Sequence, residues 1–397
     1  SWSVGRRDSL KHPALEPLPA QFYATARRKL RARADDDGLD GLLLLSPGNI
    51  TYATGWHFSR NERPIGLWLG TNGDSVLLVP HLDYEYASEV PGLTVRAYHE
   101  FPGLTPPVLW MLDETGARRV AIDTLDAALL GPARQKLERL DLEDHAREER
   151  SVKSEAELAL TREAARFADQ VLKRLLANGG DIIAQGGTEV DLLKDCTGHV
   201  RESLSYVHGE KFQGTKVAIT ATVHSGPRAA LPHGSVISRK PKPREPIIAG
   251  IGCCIGGYHA ESGATFVLGE ISKEQSLLMS TMTQAGTATV EALQDGTRCD
   301  QVNEIALEKI REAGFGNAIR HRIGHGMGIE GHEAPWLAPG DHTRTLPGMV
   351  FSCEPGIYRP GLDGWRTIDT LIVGKDQVEL ASTFLKDHPA HNRVLTF

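Results

Sequence analysis

His325 stands inside a Gly-His-Gly triplet, and a second histidine, His332, soon follows at the head of His-Glu-Ala-Pro. Upstream, His233 lies in the run SGPRAALPHG, Glu261 follows the apolar run IIAGIGCCIGGYHA, and Glu354 lies in SCEPGIY. Imidazoles and carboxylates either ligate a divalent cation or move protons. The glycines beside His325 let backbone approach closely and leave its ring accessible. A lone histidine is more often a surface or hydrogen-bonded core residue than a ligand. No GxGxxG or GxxxxGK[ST] phosphate loop and no Gx-Ser-xG elbow occurs. The five cysteines are scattered without a CxxC pair, which fits a reduced compartment, and Cys253 and Cys353 are the thiols nearest the proposed site.

The elements that must position these groups fall into two blocks. Residues 21–35 have helical spacing, while 41–45, 65–70, 75–79 and 119–122 read as buried strands, so residues 1–150 form a layered α/β domain. Ser154 followed by Glu157 is a capping box that opens a long amphipathic helix over 155–177. In residues 151–397, helices read at 188–206, 272–294 and 299–314. Strands read at 216–223, 247–254, 264–268, 349–353 and 366–373. Hairpin-joined strands with separate helices make the whole chain α+β.

The segments 247–269, 324–335, 348–358 and 364–370 resemble the creatinase, prolidase and aminopeptidase P family, M24-type, and the resemblance covers essentially the whole chain. It implies an N-terminal creatinase-like α/β domain and a C-terminal pita-bread domain with the site on its concave face. The family's five metal-holding positions, Asp, Asp, His, Glu, Glu, read here as Gly250, Glu261, His325, Glu354 and Ile368. Two carboxylates are therefore missing, and a dinuclear centre is not expected.

Several residues resemble the metal-independent creatinase-like branch. Arg63 matches its carboxylate-gripping arginine, His233 its general acid/base, and Glu354 one of its guanidinium-holding glutamates. The tail STFLKDHPAHNRVL resembles its C-terminal signature. Gly263 and Trp336 depart from that pattern. The reading implied is a creatinase-like hydrolase cleaving a C–N bond in a small carboxylated amidine, guanidino or amide compound, with no cofactor. In it His233, Glu261, His325 and Glu354 are catalytic, and Arg63 and His332 bind substrate, Arg63 reaching across a homodimer. Its mechanism has His233 activating water and Glu261 and Glu354 holding a cationic group. The alternative is an Xaa-Pro dipeptidase or aminopeptidase with one divalent metal, such as manganese or zinc, on Glu261, His325 and Glu354. A second alternative is an inactive binding scaffold. Bland readings accompany these: Arg63 as part of an exposed charged loop, Glu261 as a partner for Arg366.

Bulk composition excludes other classes. Hydrophobic residues make up 40% and charged residues 24%, as in ordinary globular proteins. A formal net charge of -7 argues against nucleic acid or an anionic membrane as partner. No apolar run is long enough to span a bilayer, and SWSVGRRDSLKHP lacks a signal-peptide core, so a cytoplasmic protein with a small-molecule substrate is expected.

Overall fold

The computed structural model describes residues 15–396. The N-terminal run read for a signal core lies outside them. The first domain is built on a six-stranded mixed sheet of β1 (Gly41–Leu44), β2 (Gly66–Gly70), β3 (Ser75–Pro80), β4 (Thr94–Tyr98), β5 (Arg119–Ile122) and β6 (Arg139–Leu142), in the order β4-β3-β2-β1-β5-β6. Its central strands are apolar throughout because both faces are covered. Leu42, Leu44, Leu67 and Leu69 pack on one side with the helix Ala20–Asp36; Leu43, Trp68 and Leu78 pack on the other with Pro107–Thr115.

The link to the second domain is polar and buried. In the helix His145–Ser151, Arg150 pairs with Glu333, and Lys153 Nζ reaches the other oxygen of the same carboxylate at 2.9 Å. The long helix begins where expected, with Glu157 Oε2 accepting from the Ser154 backbone N–H at 2.6 Å. It runs as Glu155–Ala184, further than periodicity indicated, because Gly179 and Gly180 continue it. A methyl group on Gly180 would overlap the carbonyl of Thr396, so the glycine lets residues 394–396 lie against the helix.

The second domain carries two main sheets. The first joins β7 (Ala218–Ser225), β8 (Pro246–Ile255) and β9 (Tyr258–Leu268) as antiparallel neighbours. The second contains β10 (Gly324–Gly326), β11 (Glu333–Leu337), β12 (Val350–Cys353), β15 (Asp369–Val373) and β16 (Val378–Leu380). A two-stranded ribbon, β13 (Gly356–Arg359) and β14 (Asp363–Arg366), lies between β12 and β15 in sequence. The segment read as one strand over 366–373 is thus divided: Arg366 ends β14, and Ile368 bridges Gly263 before β15 begins. Helices Glu155–Ala184 and Glu189–His208 back the first sheet; Lys273–Ala292 and Cys299–Glu312 back the second. β17 (Val394–Leu395) adds to β9 in parallel register, with Leu395 fully buried. The fold is the expected one: an α/β domain followed by a pita-bread domain, α+β overall.

Candidate metal centre

Four of the predicted residues meet where β9, β10, β11 and β12 converge. Glu261 is held on β9 by a backbone clamp: its N–H donates to Thr370 Oγ1 at 2.8 Å, and the Thr370 hydroxyl donates to the Glu261 carbonyl at 2.6 Å. His325 is completely buried on β10, where its glycine neighbours admit the backbone of β11 and β12 at close range. Glu354 directly follows β12, its N–H donating to the carbonyl of Ile323 at 2.7 Å. His332 precedes β11; its side chain is 54% exposed, and its ring packs on His325 with centroids 3.8 Å apart.

The electrostatics follow from one hydrogen bond. His325 Nδ1 lies 2.9 Å from the carbonyl of Gly326, so Nδ1 carries the proton and Nε2 presents a lone pair in the neutral ring. That Nε2 faces Glu354 Oε1 at 3.3 Å and Glu261 Oε2 at 3.6 Å. Nε2 and Glu261 Oε2 are buried without a hydrogen-bond partner among the described residues. Electron-rich atoms converging in this way repel unless positive charge lies between them. Burial favours the neutral ring, but the two glutamates outweigh it and raise the His325 pKa. Conversely, burial opposes ionisation of Glu261 and Glu354, and the imidazoles hold both below the usual carboxylate range.

A divalent cation meets the same need as a proton. Donor atoms of Glu261, His325 and His332 lie within 4.8 Å of one another, and Glu354 adds a carboxylate beside them. A carboxylate and imidazole set with a solvent-facing side suits one open catalytic ion. It does not suit two. Ile368 presents hydrocarbon against Gly263, and a Cβ on Gly250 would stand 2.7 Å from Arg366 Nη2. The Arg366 guanidinium lies where the side chain of an aspartate at position 250 would begin.

Other predicted residues lie elsewhere. His233 is exposed in the loop after Gly226–Ala230 and makes no hydrogen bond or ion pair with the four. Arg63 pairs with Glu62 and lies over the Phe101 ring at 5.5 Å, in a groove of the first domain lined also by Leu104 and Leu129. Glu261 does not pair with Arg366. Cys253 and Cys353 are buried, and burial pushes their thiol pKa values up, which disfavours the thiolate at neutral pH. Sequence reasoning missed Thr370, the clamp on Glu261, and Arg322, whose guanidinium lies 4.8 Å over the Trp336 ring. Arg322, Trp336, His332, Asp341 and, from the first domain, Arg147 wall a cavity of about 600 Å³ at the mouth of the site.

Residues 159–375 match metallopeptidase family M24, and residues 27–150 match the creatinase/prolidase N-terminal domain. The chain belongs to that family. It is 29% identical over 364 residues to a probable dipeptidase PepE of Mycobacterium tuberculosis, spanning 90% of this chain and 93% of the relative. It is 27% identical over 349 residues to an Xaa-Pro dipeptidase of Pyrococcus furiosus, spanning 87% and 94%. The crystal structure of dipeptidase PepE from Mycobacterium ulcerans superposes with a TM-score of 0.83 at 26% identity, covering 96% of this chain and all of that one, 100%. The N-terminal domain of the FACT subunit SPT16 from chickpea shares the fold, with a TM-score of 0.74 at 15% identity over 95% of this chain and 100% of that one.

These relatives overturn the creatinase-like, metal-independent reading in favour of its peptidase alternative. The physical reason is at hand. Arg63 and His233 carried the creatinase resemblance, and neither contacts the Glu261–His325–Glu354 cluster. The residues that do meet are carboxylates and imidazoles with unpartnered buried atoms, as a cation site requires.

Proposed function

We propose that this protein is a dipeptidase of the prolidase type whose centre takes one divalent cation among Glu261, His325, His332 and Glu354. The observation that carries this is the convergence of His325 Nε2 and Glu261 Oε2, both buried and without partners. A cation bound there supplies Lewis-acid polarisation of a peptide carbonyl. The chain's own groups do the rest. Thr370 fixes the strand position of Glu261, and the Gly326 carbonyl fixes the tautomer of His325. His332, half open to the cavity, completes the donor set on its solvent side. Arg322 and Trp336 wall the space that a dipeptide side chain would fill.

The test is hydrolysis of Xaa-Pro and other dipeptides before and after chelation. Activity lost on chelation and restored by manganese or zinc supports the assignment; full activity in metal-free protein overturns it. A second reading, a scaffold that binds peptides without cleaving them, is favoured by Ile368 and Arg366 standing in place of ligands. The same assay separates the two, since a scaffold binds dipeptides yet releases no product.

A further inference from the structure

A second cavity, of about 560 Å³, lies at the seam between the two domains. The first domain gives it His57, Phe58 and Tyr86; the second gives Lys216 and Glu330. Two polar groups on its walls are positioned but unspent. His57 is half-buried, with its Cε1 edge 2.6 Å from where a Cβ on Gly257 would stand, and neither ring nitrogen makes a hydrogen bond among the described residues. Lys216 is aimed by a chain of bonds. The Gly328 carbonyl lies 3.0 Å from His259 Nδ1, which carries the proton, so His259 Nε2 presents a lone pair and accepts from Lys216 Nζ at 3.1 Å. An ammonium has three donors, and Lys216 makes no ion pair among the described residues. The acid on the same walls, Glu330, is already engaged by Arg150 Nη2 at 3.1 Å. Burial, and then Lys216, hold the His57 pKa down to about 4, as expected of two basic groups with no anion between them.

We propose that this cavity is a binding site for a small organic anion, a carboxylate or a phosphate monoester, whose charge meets Lys216 and His57 and whose apolar body lies against Phe58 and Tyr86. The claim is independent of the peptidase reading. None of Glu261, His325, His332 and Glu354 lines the cavity, so its walls are its own. Small-molecule sites occupy roughly 300–1,000 Å³, and a bare ion would leave most of this space empty. The ammonium is a compact charge with rotatable donors, which accepts carboxylate and phosphate oxygens alike. A neutral His57 adds one N–H donor. The apolar wall is fixed before a ligand comes: Phe58 packs on Trp56 with centroids 4.7 Å apart, and Tyr86 meets the same indole edge-on at 5.5 Å. The Tyr86 hydroxyl donates to the His57 carbonyl at 3.0 Å, which ties that wall to the imidazole. Because His57 and Lys216 belong to different domains, the bound anion bridges them.

The experiment is calorimetric titration with phenyl phosphate, benzoate, inorganic phosphate and benzyl alcohol. Wild type is expected to bind at least one of the two organic anions, one per chain, and the tighter of them names the head group. Loss of a charge-assisted contact in Lys216→Gln weakens that binding on the order of 10- to 100-fold. His57→Leu weakens it several-fold, and Lys375→Gln, at another exposed lysine, leaves it unchanged. His325→Ala binds the anion as wild type does, which separates this site from the metal centre. Thermal melts confirm that each variant folds. Lys216 is exposed, so Lys216→Gln decides alone if His57→Leu does not fold. Failure of both organic anions to bind at millimolar concentration overturns the proposal. So does inorganic phosphate or benzyl alcohol binding as tightly as the better organic anion. Unchanged affinity in Lys216→Gln, or loss of binding in His325→Ala, overturns it too.

Discussion

His325 Nε2 lies 3.3 Å from Glu354 Oε1 while the opposite nitrogen is engaged by the Gly326 carbonyl, so the ring can rotate toward neither solvent nor another acceptor. The site is set for a cation before one arrives. Titration with manganese or zinc is expected to saturate near one ion per chain, and His325→Ala to abolish it. At an ion concentration of 100 times Kd, folding stability rises by about 2.7 kcal/mol, visible as a higher Tm in wild type only. An unchanged Tm in wild type under saturating metal counts against the assignment.

Restoring the missing carboxylates should restore the second ion. In Ile368→Glu with Gly250→Asp, the aspartate neutralises Arg366 and the glutamate replaces hydrocarbon. Gly263, which now abuts the Ile368 side chain, leaves room for the exchange. Metal content measured on purified protein is expected to move from about one toward two. Either single variant should remain at one.

The contact between domains should weaken in acid. His57 packs on Gly257 near Lys216, and burial, reinforced by Lys216, depresses its pKa to about 4. The unfolded imidazole titrates near 6.5. Between these values the unfolded chain binds the extra proton, so stability present above pH 6.5 is lost as pH falls toward 4. After discounting for partial solvent access, the loss is about 2 kcal/mol. Urea melts of wild type and His57→Leu across this window should show a steeper decline in wild type. Parallel slopes would exclude His57 as the source.

Removing Glu333 leaves Lys153 without a carboxylate and Arg150 with only the half-exposed Glu330. Arg150 and Lys153 both pair with it, and all three side chains are buried. Glu333→Gln is expected to destabilise by about 3–5 kcal/mol, read as a fall in urea midpoint. A change under 1 kcal/mol would mean that water or another group takes up the charge.

Glu261, His325 and Glu354 were legible in the sequence because each lies in a short local pattern whose neighbours dictate backbone approach. The long helix was legible from Ser154 and Glu157, whose reciprocal bond is local. Arg366 was not, since its importance depends on lying across from Gly250, more than a hundred positions earlier in the chain. β10, β13 and β14 are three or four residues long, too short for alternation to register. The break at Ile368 was hidden for a related reason: the β-branched residues Thr367, Ile368 and Thr370 run through it, and only pairing with Gly263 shows where one strand ends. His233 was placed by its motif alone, and a motif fixes a loop's composition but not its contacts.

The Gly180–Thr396 contact has a consequence for biosynthesis. The helix that opens the second domain is made more than two hundred residues before the strand that closes on it, and Leu395 is part of the core. Until residues 394–396 have been made, that helix and β9 lack this neighbour, so the domain locks late in its own synthesis. A bulkier residue at Gly180 would load the very seam that finishes assembly.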